Sequence, residues 1–242
     1  MDHKKKGKAA ALILAAGSGK RMGSDVPKQY MCLKERPILS YTLQAFEESS
    51  IDEIILVVSA DDMEHCKEHI LYKYHTSKVK KLVIGGKERY ESVYLGLKEI
   101  SSCDYVLIHD GARPFVTVDM IERCIEEVKK YRGVIVGVPV KDTIKMVGQD
   151  GIIIETPDRN RLWSIQTPQC FDYELIYNSY KILMEELHSQ GSLQTSITDD
   201  AMVVEYTTKH PIHVSMGSYS NIKITTKEDL ITGERILEYG VF

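Results

Sequence analysis

The 242-residue chain reads as an α/β protein built on an open, mostly parallel sheet with helices on both faces. Three observations predict this. Near-continuous apolar runs alternate with helical patterns from end to end, as strands buried on both faces require. The first run ends in a glycine-rich turn. The ends of several later runs collect glycines and polar residues, as expected where an open α/β sheet binds its ligand.

Taken in order, strands are expected at 9–15, 53–59, 81–84, 105–109 and 134–138, with helices at 37–48, 61–74 and 90–100. After the fourth strand, Thr117, Ile121, Ile125 and Val128 fall on one helical face and Glu122, Glu126 and Lys129 lie largely opposite, so the apolar face packs on the sheet. The alternation stops after Pro139. Residues 142–155 read as two short strands around Gly148-Gln149-Asp150-Gly151. A two-stranded ribbon cannot bury Ile152-Ile153-Ile154 by itself, so this hairpin either packs on a second subunit or folds back onto its own domain. A helix at 173–189, a short helix near 200–206 and a strand near 213–216 follow. A last helix opens at Thr226, which with Asp229 resembles a capping box. Nothing in the composition divides the chain, so residues 1–242 are expected to form one domain carrying a β-arm at about 140–160.

A formal charge of -4 provides no general field for a nucleic acid polymer, so phosphate affinity must come from local clusters. Cys32, Cys66, Cys103, Cys124 and Cys170 are scattered singly, without a C-x-x-C pair, and read as small apolar residues in a reducing cytoplasm. Lys4, Lys5, Lys6 and Lys8 form a solvated tail. The apolar run behind them is too short for a signal peptide or a membrane span.

The segment Leu14-Ala15-Ala16-Gly17-Ser18-Gly19-Lys20-Arg21-Met22-Gly23, followed by Lys28, joins an apolar strand to a bare backbone loop and cations. The amides from Ala16 to Gly19 can form a nest for phosphate oxygens, and Arg21 and Lys28 add full charges. The spacing fits neither the Walker loop nor the dinucleotide fingerprint. The alternative reading is a glycine-rich turn with solvated cations.

Other strand ends point the same way. Gly85-Gly86 permits close backbone approach, and Ser92 stands where a hydroxyl could meet a nucleobase; a tight strand-to-helix turn is the competing reading. Asp110 and Arg113 read either as an internal salt bridge or as an acidic ligand of metal or sugar beside a phosphate clamp, and His109 reads as a strand-end histidine in preference to a base or metal ligand. Pro139-Val140-Lys141-Asp142-Thr143 closes the fifth strand. Arg159 follows the hairpin, and Lys223 sits in an apolar strand just ahead of the capped helix, facing either solvent or an anion. No nucleophile-and-base pair emerges from the sequence. A reaction whose nucleophile is already an anion, such as a phosphate monoester with a second pKa of about 6, needs positioning and charge neutralisation instead.

The motifs Ala-Ala-Gly-x-Gly-x-Arg-Met-Gly (from Ala15), Pro-Lys-Gln-Tyr (Pro27), Gly-Gly-x-x-Arg-x-x-Ser-Val (Gly85) and His-Asp-Gly-Ala-Arg-Pro-Phe (His109) are joined by five later ones. These are Pro-Val-Lys-Asp-Thr-Ile-Lys (Pro139), Asp-Arg-x-x-Leu-Trp (Asp158), Gln-Thr-Pro-Gln (Gln166), Thr-Asp-Asp-Ala (Thr198) and Asn-Ile-Lys-Ile-Thr (Asn221). Over essentially its whole length the chain resembles the 2-C-methyl-D-erythritol 4-phosphate cytidylyltransferases of the non-mevalonate isoprenoid pathway.

The resemblance implies a Rossmann-like nucleotidyltransferase domain that converts CTP and methylerythritol phosphate to the CDP-linked product and pyrophosphate. Mg2+ would be held mainly through the CTP phosphates and water, with Asp110 as the candidate protein ligand. Ala15, Ala16, Gly17, Ser18, Gly19, Gly86, Ser92, Asp110 and Ala112 would bind CTP. Asp110, Arg113, Thr143, Arg159, Thr167 and Lys223 would bind the acceptor. Arg21 and Lys28 would stabilise charge on the reacting phosphates, and Arg159 and Lys223 would orient the attacking phosphate. The β-arm would interlock with a second copy to form a homodimer, so that Thr143 and Arg159 serve the neighbour's site. Lys87 departs from the acidic residue of some relatives. The sister ribitol 5-phosphate enzymes carry Ala-Gly-Gly in the first loop and His-Asp-Ala-Val-Arg-Pro after the fourth strand. A noncatalytic nucleotide-binding regulator on this scaffold would lack a reactive-centre cation, whereas Arg21, Lys28 and Lys223 are all present.

Overall fold

The computed structural model describes residues 7–17, 26–192 and 196–240. Its strands are Ala9–Ala15 (β1), Cys32–Leu33 (β2), Arg36–Pro37 (β3), Glu53–Val58 (β4), Val79–Ile84 (β5), Tyr105–Asp110 (β6), Gly133–Pro139 (β7), Met146–Val147 (β8), Ile153–Glu155 (β9), Trp163–Asp172 (β10) and His213–Met216 (β11). The helices are Ile38–Glu48 (α1), Met63–Cys66 (α2), Arg89–Lys98 (α3), Val118–Tyr131 (α4), Tyr173–Gln190 (α5), Asp200–Thr208 (α6) and Lys227–Tyr239 (α7).

Seven strands share one sheet in the order β11-β7-β10-β6-β1-β4-β5. Neighbours run parallel except around β10, which is antiparallel to both β6 and β7. Side chains along β1 alternate between two cores. Ala9, Ala11 and Ile13 join Phe46 of α1 and Ile121, Ile125 and Val128 of α4 on one face. Ala10 and Leu12 join Leu97 of α3, Tyr180 of α5 and Val203 of α6 on the other. Burial on both sides explains why these strands read as continuous apolar runs.

Several boundaries differ from expectation. The helix expected at 61–74 is reduced to α2 and one π-helical turn, Lys67–Leu71. The hairpin is shorter than the 142–155 pattern, because pairing is confined to β8 and β9; Gly151 makes its turn with φ +81°, a conformation that suits glycine. Its side chains stay exposed, Ile152 at 66% and Ile154 at 68%.

The sequence reading missed β10. Its run Ser-Ile-Gln-Thr-Pro-Gln contains a proline and alternates poorly, and its register shifts between Ile165 and Gln169. Residues 221–225, expected as a strand, are irregular. They are pinned instead by Ile224, whose N–H donates to the Ala112 carbonyl at 2.8 Å and whose side chain is fully buried beside Leu33 and Phe115. Burying a side chain of that size stabilises the segment by about 1.5–3 kcal/mol. The last helix matches its expectation, since Thr226 and Asp229 form the capping box that opens α7.

Candidate active site

Because β1, β4, β5, β6 and β7 run parallel, their carboxyl ends share one rim, and two adjoining pockets open along it. The first is lined by Ala15, Ala16 and Gly17 after β1, by Lys28, by Gly86, Lys87 and Ser92 after β5, and by Ala112 after β6. The second is lined by Arg113 and, from β10 and the approach to α6, by Gln166, Thr167, Gln169 and Asp199. Arg89, Asp110 and Lys223 line both.

Each side chain is held by its local sequence. Pro27 starts a single 3-10 turn, Lys28–Tyr30, whose Gln29 and Tyr30 are buried. Gln29 Nε2 donates to the carbonyl of Ala15 at 2.7 Å, so Lys28 is carried to the mouth of the β1 loop. Gly85 must be a glycine, because a Cβ there would lie 2.6 Å from that of Ala16 and 2.9 Å from Ser92 Oγ. The Ser92 hydroxyl accepts from Gly86 N–H at 3.1 Å and donates to the Glu88 carbonyl at 3.2 Å, which shapes the turn as well as lining the pocket. Glu91 takes the N–H groups of Lys87 and Glu88.

Lys223 is fixed from both sides. The buried Asn221 donates through Nδ2 to the Thr167 carbonyl at 2.9 Å, and Ile224 pairs with Ala112. Between them, Lys223 Nζ lies 2.8 Å from Asp110 Oδ2. Arg89 Nε stands 3.7 Å from Asp110 Oδ1, and Arg113 Nε stands 3.7 Å from Oδ2. Burial alone would raise the Asp110 pKa, but Arg89, Lys223 and Arg113 outweigh it and hold the carboxyl well below the usual carboxylate range. The internal salt bridge expected of Asp110 and Arg113 is therefore present, with Asp110 lining both pockets and Arg113 the second.

His109 beside them is fully buried, and both of its ring nitrogens are engaged within the protein. The Arg113 carbonyl can accept but not donate, so His109 Nε2 carries the proton toward it at 3.2 Å. Nδ1 then accepts from the Thr167 hydroxyl at 2.9 Å, and the same hydroxyl oxygen accepts from Asp110 N–H at 3.1 Å. Burial outweighs the pull of Asp110 and moves the imidazole pKa from 6.5 down to about 4. A folded-state pKa below the unfolded one means that this stability is fully present above pH 6.5 and is lost as pH falls toward 4. The full effect is about 3 kcal/mol. Urea unfolding between pH 7 and 4.5 is expected to show this loss, and His109→Gln, which cannot titrate, should remove about one proton from the slope. An unchanged slope in the variant would rule out the assignment.

The first pocket thus brings together Ala15, Ala16, Gly17, Lys28, Gly86, Ser92, Asp110, Ala112 and Lys223. Arg113 and Thr167 join the last pair in the second. Thr143 and Arg159 line neither. Both are exposed near the hairpin, where Arg159 Nη1 donates to the Lys141 carbonyl at 2.9 Å. Ser18, Gly19 and Arg21 lie outside the described residues. Arg89 escaped the sequence reading as a site residue although it stands in the Gly-Gly-x-x-Arg motif. Its partner Asp200 is 111 positions away, a separation that no local pattern reveals.

A mostly parallel sheet whose rim carries a first turn of small residues, with cations on the wall between two pockets, is the arrangement a nucleotidyltransferase needs to join a nucleotide to a second substrate. The chain belongs to the IspD family, 2-C-methyl-D-erythritol 4-phosphate cytidylyltransferase, whose sequence profile matches residues 9–239. It is 50% identical over 230 residues to the 2-C-methyl-D-erythritol 4-phosphate cytidylyltransferase of Lachnoclostridium phytofermentans, covering 95% of this chain and 96% of that one. A Clostridium botulinum protein of the same name is 49% identical, with 96% and 98% covered. The crystal structure of 4-diphosphocytidyl-2C-methyl-D-erythritol synthase from Anaerococcus prevotii superimposes with a TM-score of 0.84 at 35% identity, covering 96% of this chain and 97% of that one.

Proposed function

We propose that this enzyme transfers the cytidylyl group of CTP to 2-C-methyl-D-erythritol 4-phosphate, giving 4-diphosphocytidyl-2-C-methyl-D-erythritol and pyrophosphate in isoprenoid precursor synthesis. The observation that carries the reading is the shared wall of Arg89, Asp110 and Lys223, which would stand between a triphosphate in one pocket and a phosphate monoester in the other. An acceptor phosphate oxygen attacks the α-phosphorus, the bond to the bridging α–β oxygen breaks, and pyrophosphate leaves with the electron pair. The nucleophile is already anionic near neutral pH, so no base is needed. Lys28, with Arg21, would stabilise charge on the α-phosphate and leaving pyrophosphate. Lys223 and Arg113 would hold the acceptor phosphate.

Mg2+ would arrive with the triphosphate and neutralise its charge when bound. The described residues hold no cluster of three or more potential metal-ligating side chains, while Asp110 offers one carboxylate on the wall. That donor set suits an ion that keeps several waters and takes most of its ligands from phosphates.

The reading extends to one domain whose exposed β8–β9 arm pairs with a second copy, bringing Thr143 and Arg159 to the neighbour's pocket. Its support is the apolar surface left uncovered at Met146, Val147 and residues 152–154. A cytoplasmic setting accords with five free cysteines, three of them (Cys66, Cys103 and Cys124) pushed up to about 12 by burial and so kept as thiols. No described helix is long and apolar enough to cross a membrane.

Purified protein given CTP, Mg2+ and a sugar phosphate is expected to release pyrophosphate with methylerythritol phosphate. Faster release with ribitol 5-phosphate would overturn the acceptor assignment.

A further inference from the structure

We propose that the Arg89–Asp200 pair is a positioning device for the reacting centre: it holds Arg89 against Asp110 and, through Asp110, keeps the Lys223 ammonium on the wall between the two pockets. This rests on the cytidylyltransferase reading for its effect on turnover.

The contacts form a relay through α3, α5 and α6, strands β6 and β10, and the segment that carries Lys223. Asp200 opens α6 and is fully buried. Its Oδ1 and Oδ2 accept from Arg89 Nη1 at 2.8 Å and Nη2 at 2.7 Å, and Oδ1 also accepts from the Tyr180 hydroxyl of α5 at 2.6 Å. Gln169 Oε1 on β10 takes the N–H groups of Asp200 and Ala201, so the carboxylate is held in place from behind. A two-pronged guanidinium–carboxylate contact fixes the plane of Arg89. Its two Nη atoms are committed to Asp200, and the Nε edge stays turned to Asp110 Oδ1. Lys223 and Arg113 approach the other oxygen.

Arg89 is the first residue of α3, directly behind the Gly85–Gly86 turn. The pair therefore ties the nucleotide-side turn to α6 on the acceptor side. Without it, Oδ1 of Asp110 would face the pockets with no cation at its side, and the carboxylate could rotate away from Lys223. The charged groups around Asp110 are Arg89 from α3, Arg113 from the following turn and Lys223 ahead of α7. Lys28 lines the same pocket, and His109, neutral by burial, is adjacent in β6.

Nitrogen-15 NMR of lysine-labelled protein at neutral pH, with the Lys223 Nζ resonance assigned through Lys223→Arg, gives a readout independent of turnover. In Arg89→Met the Lys223 resonance should move from its wild-type position, although the contact of Lys223 is with Asp110. Arg89→Lys should restore most of that position. In the pyrophosphate assay, Arg89→Met should lower kcat about tenfold or more while KM for CTP changes less, with partial recovery in Arg89→Lys. A folded Arg89→Met enzyme with wild-type kcat, or with the Lys223 resonance at its wild-type position, would overturn the inference. If Arg89→Met does not fold, Arg89→Lys and Asp200→Asn decide, because each keeps the cation and loses the two-pronged contact: lowered kcat in both supports the role, and wild-type kcat in both removes it. A wild type that releases no pyrophosphate would sink the cytidylyltransferase reading, while the Lys223 resonance would still test whether Arg89 holds that ammonium in place through Asp110.

Discussion

Lys28→Ala is expected to lower kcat for pyrophosphate release at least about 100-fold, the scale for losing one charge-stabilising donor. The fold should survive. Pro27, the Gln29 hydrogen bond to Ala15 and the buried Tyr30 hold the turn. What disappears is a full positive charge at the mouth of the phosphate turn, where charge accumulates as the α–β bond breaks. An interaction stronger in the transition state than in the ground state appears mainly in kcat, so KM for CTP should change far less. A folded Lys28→Ala enzyme with a near-wild-type kcat would remove Lys28 from the mechanism.

Mixing inactive Lys28→Ala chains with inactive Arg159→Ala chains is expected to restore activity. If Arg159 serves the neighbour's pocket, a mixed dimer has one site with both substitutions and one with neither. It should reach roughly half the activity of a wild-type dimer, as a two-fold arrangement with shared sites requires. The motivation is geometric. Arg159 is exposed beside the arm and lines neither pocket of its own chain, while the apolar side chains of β8 and β9 stay at least half exposed among the described residues. Mixed dimers confirmed by mass but devoid of activity would count against the shared site.

Most of the scaffold was legible because its inner strands are buried on both faces. Residues 9–15 and 213–216 match their expected strands, and Thr226 caps α7 as its spacing with Asp229 suggested. The glycine-rich turn was equally plain, since small residues next to an apolar strand are a local signal. By contrast, β10 carries Gln166, Thr167 and Gln169 toward partners on other elements: Ser218, His109 and Asp199. A strand whose polar side chains are satisfied at long range does not look like a strand in the sequence. The segment around Lys223 erred the other way, reading as a strand because Ile222 and Ile224 flank the lysine. In fact Ile224 is buried under α7 and the backbone pairs with Ala112 instead of with a sheet neighbour.

The class of chemistry followed from residue types and short spacings: a bare phosphate turn, cations nearby, and no nucleophile-and-base pair. Those are properties of neighbouring residues, set by chain geometry over a few positions. Which cations meet is a different matter. Asp110 draws Arg89 from 21 positions upstream and Lys223 from 113 positions downstream, and Asp200 clamps that arginine from another helix. Such partners are chosen by how the helices and loops pack across the rim of the sheet. In that buried setting, each charge is stabilised by opposite charges that chain order alone does not bring together.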